Sequence, residues 1–291
     1  MARAGLRFHK KLGQNFLIDG HVVSRMVDAA GIGPGDPVLE IGPGIGTLTE
    51  ELLLRGSLVL AMELDRTFFQ VLQEEFQDSG RFHLLEGDAL KLDPGPVMAS
   101  LAPGRTWQLV ANLPYYITGP LLQRFLRTNL PIECLTIMVQ KEVAERIMAA
   151  PGSSAYGALT LLVALYAEPS LIMSVPASSF LPAPKVDSAV VQLKRKEAGP
   201  LTAAQKDRLN ALIRLAFEQR RKMVIKAIER GSGATRADVL RAFEARGLDP
   251  RARAENLSLA DFTFLAQELG YIKKSEPERA DFGQADQEES R

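Results

Sequence analysis

The sequence has a single cysteine in 291 residues, Cys134, and it lies within an apolar run. One cysteine excludes an intramolecular disulfide, and with it the disulfide-stapled class of small secreted domains. A lone thiol among apolar residues is typical of a protein core. We therefore expect Cys134 to be buried and the protein to work in a reducing compartment.

Long hydrophobic runs are also missing. The uncharged stretch 147–167 is interrupted at 151–154 by Pro-Gly-Ser-Ser, and the remainder is too short to span a bilayer. Basic residues begin the chain, but no apolar segment follows them as a signal peptide requires. We expect no membrane partner and a soluble, cytoplasmic protein.

The chain has no net charge, because 35 basic side chains balance 35 acidic ones. This balance excludes a whole-molecule field that attracts nucleic acid, but the charge is unevenly distributed. Residues 1–18 hold four Lys/Arg and no carboxylate, and residues 185–230 hold twelve Lys/Arg against five acids. Two such basic segments can follow a phosphate backbone. In the second segment, the solvated face of an ordinary helix is the alternative.

A stretch near the centre of the chain, residues 112–117 (Asn-Leu-Pro-Tyr-Tyr-Ile), follows an apolar segment typical of a buried strand. The carboxyl ends of strands are where open α/β sheets bind ligands. The Asn112 side-chain oxygen can accept one N–H of a planar amine. Pro114 favours an extended Leu113, whose carbonyl can accept the second N–H. Tyr115 offers a flat ring for stacking a base. The alternative is a strand end with an ordinary proline turn.

A glycine-rich loop at residues 42–46 lies between a predicted strand at 38–41 and a predicted helix that begins at Thr47. Strand, glycine loop and helix form the entry unit of a nucleotide-type site. The spacing is G-x-G-x-G rather than the dinucleotide pattern G-x-G-x-x-G, and no Lys-Ser/Thr follows as in a P-loop. The pattern therefore favours a ligand with little phosphate over a dinucleotide or a triphosphate.

Two acidic residues follow the next two predicted strands. Glu63 ends the strand at 58–62, about 20 residues beyond the glycine loop, where an acid suits the ribose hydroxyls of a nucleoside. Asp88 follows the strand at 81–86 and can accept a hydrogen bond from an adenine amino group. Both could instead be solvated surface acids, but their shared position after successive strands favours the site.

Strands alternate with helices as far as residue 193, which predicts a parallel, helix-covered sheet whose closing strands form an antiparallel edge. Residues 194–200 are a predicted linker, and no strand is predicted beyond it. Asp19 and Ser258 are candidate helix N-caps, the latter with Asp261 three residues on. Helices in the second half of the chain are predicted at 141–150, 155–167, 203–230, 236–245 and 258–269.

Together these segments resemble the KsgA-type (RsmA) family, the rRNA adenine N6,N6-dimethyltransferases. The resemblance covers residues from about 7 to 271, and its specificity comes from eight motifs in order. They are KKLGQNFL (10–17), EIGPGIGTLT (40–49), ELD (63–65), GDA (87–89), NLPYYI (112–117), FLPAPKVDS (180–188), AFEQRRKM (216–223) and ENLSLADF (255–262).

The resemblance implies an α/β fold: a Rossmann-like class I methyltransferase sheet, mostly parallel with one antiparallel edge strand, and a small all-α C-terminal domain. We expect the catalytic domain, with its basic N-terminal arm, in residues 1–195. A helical RNA-binding domain is expected in residues 200–271. Residues 272–291 are expected to form a disordered acidic tail, for which the family offers no counterpart.

The resemblance also implies S-adenosylmethionine as methyl donor, S-adenosylhomocysteine as product and no metal. This donor contains adenine and ribose but no phosphate, in agreement with the glycine spacing. The implied cofactor contacts are Asn15 and Leu17 above the cofactor, Gly42 against it, Glu63 at the ribose, Asp88 and Ala89 at the adenine end, and Asn112 beside the sulfonium and the target base.

The implied chemistry needs neither a metal nor a strong base. The lone pair of adenine N6 is delocalised into the ring, so the amine is a poor nucleophile. If Asn112 and the Leu113 carbonyl accept hydrogen bonds from its two N–H groups, the nitrogen is drawn toward tetrahedral geometry and its lone pair points at the methyl group. The flipped base would stack between Tyr115 and Phe180, unless Phe180 is a loop aromatic packed on the core.

The implied substrate is a pair of adjacent adenosines in a loop near the 3′ end of 16S rRNA, within a pre-assembled small ribosomal subunit. The expected process is ribosome biogenesis, and we expect a monomer. Three alternatives stay open: a related resistance-type methylase acting on large-subunit rRNA, a non-catalytic ribosome assembly factor, and a nicotinamide dehydrogenase. The glycine spacing and Asn112 disfavour the dehydrogenase.

Overall fold

A computed structural model describes residues 15–197, 199–219 and 221–273. The predicted basic arm up to residue 14, Arg220 and the predicted acidic tail beyond residue 273 lie outside the described residues. Within them the strands are β1 (Phe16–Leu17), β2 (Pro37–Ile41), β3 (Leu58–Glu63), β4 (Phe82–Glu86), β5 (Trp107–Asn112), β6 (Ile132–Gln140), β7 (Ala167–Val175), β8 (Phe180–Leu181) and β9 (Ser188–Arg195).

The helices follow the strands in alternation up to β7 and stand alone after β9. They are α1 (Gly20–Ala29), α2 (Thr47–Leu54), α3 (Arg66–Phe76), α4 (Gly95–Leu101), α5 (Thr118–Arg127), α6 (Lys141–Ile147), α7 (Ala158–Tyr166), α8 (Ala203–Phe217), α9 (Ile225–Ser232), α10 (Arg236–Arg246) and α11 (Leu259–Glu268).

Seven strands form one sheet in the order β4-β3-β2-β5-β6-β9-β7. The five strands from β4 to β6 are parallel, and β9 is antiparallel to both of its neighbours. The predicted fold class is confirmed, including a single reversed strand in an antiparallel edge pair. That strand, β9, lies one place in from the edge, because the chain turns back after β7 and inserts β9 between β7 and β6.

Two helix starts occur where capping residues predict them. The Asp19 side chain accepts hydrogen bonds from the backbone amides of His21 and Val22 at the start of α1. At the start of α11, Ser258 accepts from the Asp261 amide, and the Asp261 carboxylate accepts from the Ser258 amide. Each cap satisfies amides that the first helical turn leaves without a partner. Both predicted N-caps are confirmed.

The single helix predicted at 203–230 is wrong, because the structure has two helices there. α8 ends at Phe217 and α9 begins at Ile225. Between them the Val224 amide donates to the Ala252 carbonyl, at 2.9 Å. This tertiary hydrogen bond takes the amide away from the helical ladder, and the polar residues before it supply no apolar face that would keep the helix going.

The helices predicted at 141–150 and 155–167 are shorter in the structure, where they become α6 and α7. The segment between them turns at Gly152, which has a φ of +84°. The Gly152 amide donates to the Glu255 carbonyl at 2.8 Å, which ties the turn to the C-terminal helices. A left-handed glycine and a distant partner both end helical pairing here.

The apolar core continues from the sheet into the C-terminal helices. One buried cluster contains Trp107 of β5 and Leu161 of α7 together with Phe243 and Phe262 of the helical segment. Across this boundary the hydroxyl of Tyr156 donates to the Leu257 carbonyl at 2.9 Å, in a buried hydrogen bond. The helical segment is therefore packed on the sheet's helices rather than tethered by a linker alone.

Cys134 is buried in β6, as predicted, and burial raises the pKa of its thiol to about 11. The thiol therefore stays protonated and unreactive at neutral pH. No helix in the described part of the chain combines the length and the apolar character that crossing a membrane requires.

We predict that Tyr156→Phe lowers the free energy of unfolding by about 1–3 kcal/mol, because it leaves the buried Leu257 carbonyl without a donor. Urea denaturation measures the change. Tyr116→Phe is the matched control, since Tyr116 is 68% exposed. Equal midpoints for the two variants would contradict the role given to the Tyr156 hydrogen bond.

Candidate active site

A cleft of about 450 Å³ opens at the carboxyl ends of the parallel strands. The chain runs from β2 outward to β3 and β4, then returns to place β5 on the other side of β2. This is a topological switch point, where open α/β sheets bind their ligands. The predicted site residues that line the cleft are Asn15, Leu17, Gly42, Glu63, Asp88, Ala89, Asn112, Leu113 and Tyr115.

The glycine loop uses its amides within the protein. The Gly42 amide donates to the Met62 carbonyl at 2.9 Å, and the Gly46 amide donates to the Pro43 carbonyl at 3.0 Å. The Gly44 amide donates to the Glu63 carboxylate at 3.1 Å. A phosphate cradle needs such amides free and pointing at the ligand. The loop therefore suits a phosphate-free ligand.

Glycine is required in this loop for conformational reasons. Gly42 and Gly44 have φ angles of +67° and +59°, a region that other residues enter at a cost. At Gly44 the constraint is the backbone angle alone, because a Cβ there would lie 3.5 Å from the ring of Phe16 in β1, an ordinary contact distance. The backbone can thus come close to a ligand while β1 packs over it.

Glu63 ends β3, where it is buried and faces the cleft. Its Oε1 accepts from the amides of Leu64 and Asp65, both at 2.8 Å, and its Oε2 accepts from Gly44. Burial raises the pKa of Glu63, and these three hydrogen bonds oppose that shift. Each carboxylate oxygen can accept two hydrogen bonds, so Oε2 retains one acceptor position for a ligand hydroxyl.

Asp88 follows β4 in a turn that holds its carboxylate in place. Its Oδ1 accepts from the Leu90 amide at 2.9 Å, and its Oδ2 lies 3.6 Å from the Lys91 ammonium. The adjacent Ala89 is buried and lines the cleft. An oxygen with acceptor capacity next to an apolar wall is suited to the amino edge of a flat heterocycle.

The end of β5 presents two acceptors. The Leu113 amide donates to the Met138 carbonyl of β6 at 3.2 Å, which fixes the chain where it leaves the sheet. Pro114 follows with φ −57° and ψ 128°, an extended conformation. Within the described residues, neither the Asn112 side chain nor the Leu113 carbonyl accepts a hydrogen bond from the protein. Both are available to a ligand.

Tyr115 lies beside these acceptors, half-buried in the cleft wall. Its hydroxyl and the Ser188 hydroxyl at the start of β9 are 2.7 Å apart. Burial raises the pKa of Tyr115, so the phenol is neutral and the hydrogen bond persists at physiological pH. The contact holds the ring by its outer end and leaves the face of the ring for stacking.

Phe180 is the one predicted site residue that does not line the cleft. It pairs with Leu17 in the two-stranded sheet of β1 and β8, and it is 3% exposed. Its ring packs in an apolar cluster that includes Met173 and Val175. The geometry therefore gives no support to Phe180 as a second stacking surface. Its backbone instead holds Leu17 at the cleft.

Glu40 and Tyr116 also line the cleft, although neither is among the site residues predicted from the sequence. Glu40 lies in β2 and is 1% exposed. A charged residue inside an otherwise apolar strand is a signal that could have identified it. For Tyr116, the side-chain direction depends on the tight turn after Pro114, which the sequence does not show.

Comparisons with known proteins agree with this geometry. The family described as "Ribosomal RNA adenine dimethylase" matches residues 5–270. The chain belongs to that family. As a member, it is an S-adenosylmethionine-dependent rRNA adenine dimethyltransferase. The recognition drawn from the eight motifs is confirmed.

Individual relatives extend the match over most of the chain. The protein named "Ribosomal RNA small subunit methyltransferase A" of Alkaliphilus oremlandii (strain OhILAs) is 38% identical over 264 residues, which are 90% of this chain and 92% of the relative. Among solved structures, a dimethyladenosine transferase from Plasmodium falciparum has a TM-score of 0.70 at 28% identity, covering 88% of this chain and 98% of its own. The 23S rRNA methyltransferase ErmE has a TM-score of 0.66 at 27% identity, covering 88% and 100%.

The charged residues of the cleft, like its glycine loop, suit S-adenosylmethionine as the ligand. Among the described lining residues, the acids Glu63, Asp65 and Asp88 outnumber the single cation Arg66, and a fourth acid, Glu40, is buried in the cleft wall. Arg66 itself is paired with Glu86 at 2.7 Å, and its side chain is 86% exposed. An acidic cleft attracts a ligand with positive charge and repels phosphates.

We predict that Glu63→Ala weakens the binding of S-adenosylmethionine severalfold or more, because the ribose loses an acceptor. Isothermal titration calorimetry measures the affinity, and a thermal melt confirms that the variant is folded. Glu74→Ala, an exposed position on α3, is the control and should leave the affinity unchanged. Unchanged affinity in Glu63→Ala itself would refute the ribose assignment.

Proposed function

We propose that this protein transfers methyl groups from S-adenosylmethionine to N6 of two adjacent adenosines in a loop near the 3′ end of 16S rRNA, during small-subunit biogenesis. The observation that carries the proposal is a pair of hydrogen-bond acceptors with no partner in the described protein, the Asn112 side chain and the Leu113 carbonyl. They line an acidic cleft whose glycine loop suits a nucleoside ligand without phosphate. The small subunit is favoured because a relative that matches 90% of the chain is named for it.

We propose cofactor contacts on the same residues that the family motifs indicate. Glu63 accepts a ribose hydroxyl at Oε2, and Asp88 accepts from the adenine amino group beside the apolar wall of Ala89. Asn15 and Leu17 cover the cofactor, held there by the pairing of β1 with β8. When bound, S-adenosylmethionine supplies an electrophilic methyl group on a positively charged sulfur.

Asn112 and Leu113 activate the target amine. Their two oxygens accept hydrogen bonds from the two N6–H groups, which draws the nitrogen out of conjugation with the ring and directs its lone pair outward. After transfer, the methylated and now acidic nitrogen releases one N–H proton to solvent. The same oxygens stabilise the positive charge that develops on nitrogen, and one such preorganised hydrogen bond is worth about 3 kcal/mol of barrier. The hydrogen bond from Leu113 to Met138 keeps the two acceptors in register, so little reorganisation is needed.

Tyr115 stabilises the flipped adenine. Extracting a base from its stack costs a few kcal/mol, and stacking on an aromatic side chain returns about 1–3 kcal/mol. The hydroxyl contact with Ser188 keeps the ring oriented before the base arrives. Phe180 acts through the backbone of β8, as a positioning residue for Leu17.

The C-terminal helices are proposed to hold the rRNA by its phosphates. Arg221, Lys222 and Lys226 are exposed at the turn between α8 and α9 and along α9. Among the described residues they form no ion pair, whereas the nearby Arg230 is paired with Glu218 at 2.7 Å. Unpaired, exposed cations next to each other suit phosphate contacts, which position RNA without reading its sequence. A cytoplasmic monomer stays a prediction.

The substrate assignment is tested with labelled S-adenosylmethionine and three acceptors: unmethylated small-subunit particles, large-subunit rRNA and free DNA. Digestion of the products should yield labelled N6,N6-dimethyladenosine from the small-subunit particles alone. Label mainly in large-subunit rRNA would favour the activity named for ErmE, and no label in any acceptor would favour an assembly factor.

We predict that Asn112→Ala abolishes methyl transfer while the affinity for S-adenosylmethionine stays nearly intact, because the lost acceptor faces the target amine. Transfer to small-subunit particles and calorimetry with the cofactor measure the two effects separately. Asn129→Ala, an exposed asparagine after α5, is the control and should keep full activity. Wild-type turnover in Asn112→Ala would reject the acceptor role.

A further inference from the structure

Glu40 is a buried acid in the wall of the cofactor cleft for which the mechanism above has no use. One of its oxygens, Oε2, accepts a hydrogen bond from the Thr49 hydroxyl of α2 at 2.7 Å. The other, Oε1, is buried and has no hydrogen-bond partner. Its neighbours across the sheet, Ala61 in β3 and Val110 in β5, offer no polar group.

No cation faces Glu40 within the described residues. The charged group that acts on the Glu40 carboxyl is another acid, Glu63. The remaining charged side chains of the cleft are Asp65, Asp88 and Arg66, and Arg66 is engaged with Glu86 at 2.7 Å. An ionised carboxylate is therefore unfavourable at this position. It would be removed from water, only one of its oxygens would accept a hydrogen bond, and the Glu63 carboxylate would repel it.

Burial raises the pKa of Glu40, the hydrogen bond from Thr49 opposes that shift and the nearby Glu63 adds to it, so that the pKa is about 8. A carboxyl with a raised pKa is protonated below that value. In the protein without ligand, Glu40 is therefore mostly neutral at pH 7. A positive charge brought into the cleft would reverse this preference, because an opposite charge nearby favours the ionised form.

We propose that Glu40 is neutral in the empty cleft and ionises when a cationic ligand binds, so that S-adenosylmethionine binding releases a proton to the solvent. The inference rests on the proposed placement of S-adenosylmethionine in this cleft. The cofactor carries two positive charges, on its sulfonium and on its α-ammonium group, and either can serve as the counter-charge. Glu40 would thereby help the site to select a charged nucleoside over a neutral one.

The sign of the pH dependence follows from linkage. Below pH 8 the proton must leave on binding, so the Glu40 contribution to affinity falls as the pH falls. Above pH 8 the acid is already ionised, and no proton is released from it. The amino group of the ligand also titrates near this range, so the contribution of Glu40 is the difference between wild type and Glu40→Gln.

Isothermal titration calorimetry in two buffers with different heats of ionisation counts the protons released. At pH 7, wild type should release a larger fraction of a proton than Glu40→Gln per S-adenosylmethionine bound. This difference should shrink as the pH is raised above 8. A difference near zero at pH 7 would overturn the proposal.

Two analogues identify the charge. Methylthioadenosine carries neither positive charge and should release no proton from Glu40, whereas S-adenosylhomocysteine lacks the sulfonium but keeps the α-ammonium beside its α-carboxylate. Release with both S-adenosylmethionine and S-adenosylhomocysteine assigns the ammonium, and release with S-adenosylmethionine alone assigns the sulfonium; both support the proposal. Equal release with methylthioadenosine would overturn it, because the release would then not depend on ligand charge.

Two further measurements keep the result clear. Infrared difference spectra of wild type need no variant: the carbonyl band of a protonated carboxyl should disappear when S-adenosylmethionine binds at pH 7. If that band persists, the proposal fails even where Glu40→Gln does not fold. Glu63→Ala tests the placement separately, since it should weaken all three ligands, which share the ribose, whatever the proton count.

Discussion

The parallel pairing of β2 with β3 on one side and β5 on the other is the constraint on which the site depends. It brings the carboxyl ends of β2, β3 and β5 to one edge of the sheet. Residues that are far apart in sequence therefore meet around one ligand. Glu63 reaches back 19 residues to hold the amide of Gly44, and Asn112 enters from the far side of β2. Were β5 to pair elsewhere, the cofactor and the target base would have no common cleft.

Much of this arrangement could be predicted because its signals are local. Apolar runs locate the long strands, Asp19 and Ser258 mark helix starts, and the glycine spacing indicates a ligand without phosphate. What could not be predicted depends on distant contacts. The break before Ile225 follows from a hydrogen bond to Ala252, and neither the two-residue strand β8 nor the burial of Phe180 has a periodic signal. The helices α3 and α4 are not predicted either, and α4 opens with Gly-Pro, which carries weak helical propensity.

Acidic and basic side chains lie in different functional regions of the protein. Carboxylates gather where a small cation is bound, while exposed cations at Arg221, Lys222 and Lys226 lie on the helical segment that is proposed to meet RNA. A balanced total charge conceals this division. Because RNA phosphates would be repelled from the acidic cleft, the charge pattern admits a single uncharged base while its backbone stays outside. The buried acid Glu40 belongs to the same logic, since its charge is withheld until a counter-charge is present.

The short sheet of β1 and β8 joins the beginning of the described chain to a segment far downstream. Around it, the Ile18 amide donates to the Ser179 carbonyl at 3.0 Å, and the Ser179 hydroxyl donates to Asp19, 160 residues away in sequence. During synthesis, the early segment must wait for the late one before Leu17 can take its place over the ligand. In a nascent chain, Leu17 therefore cannot be held at the cleft by β8 until almost two thirds of the polypeptide has been translated.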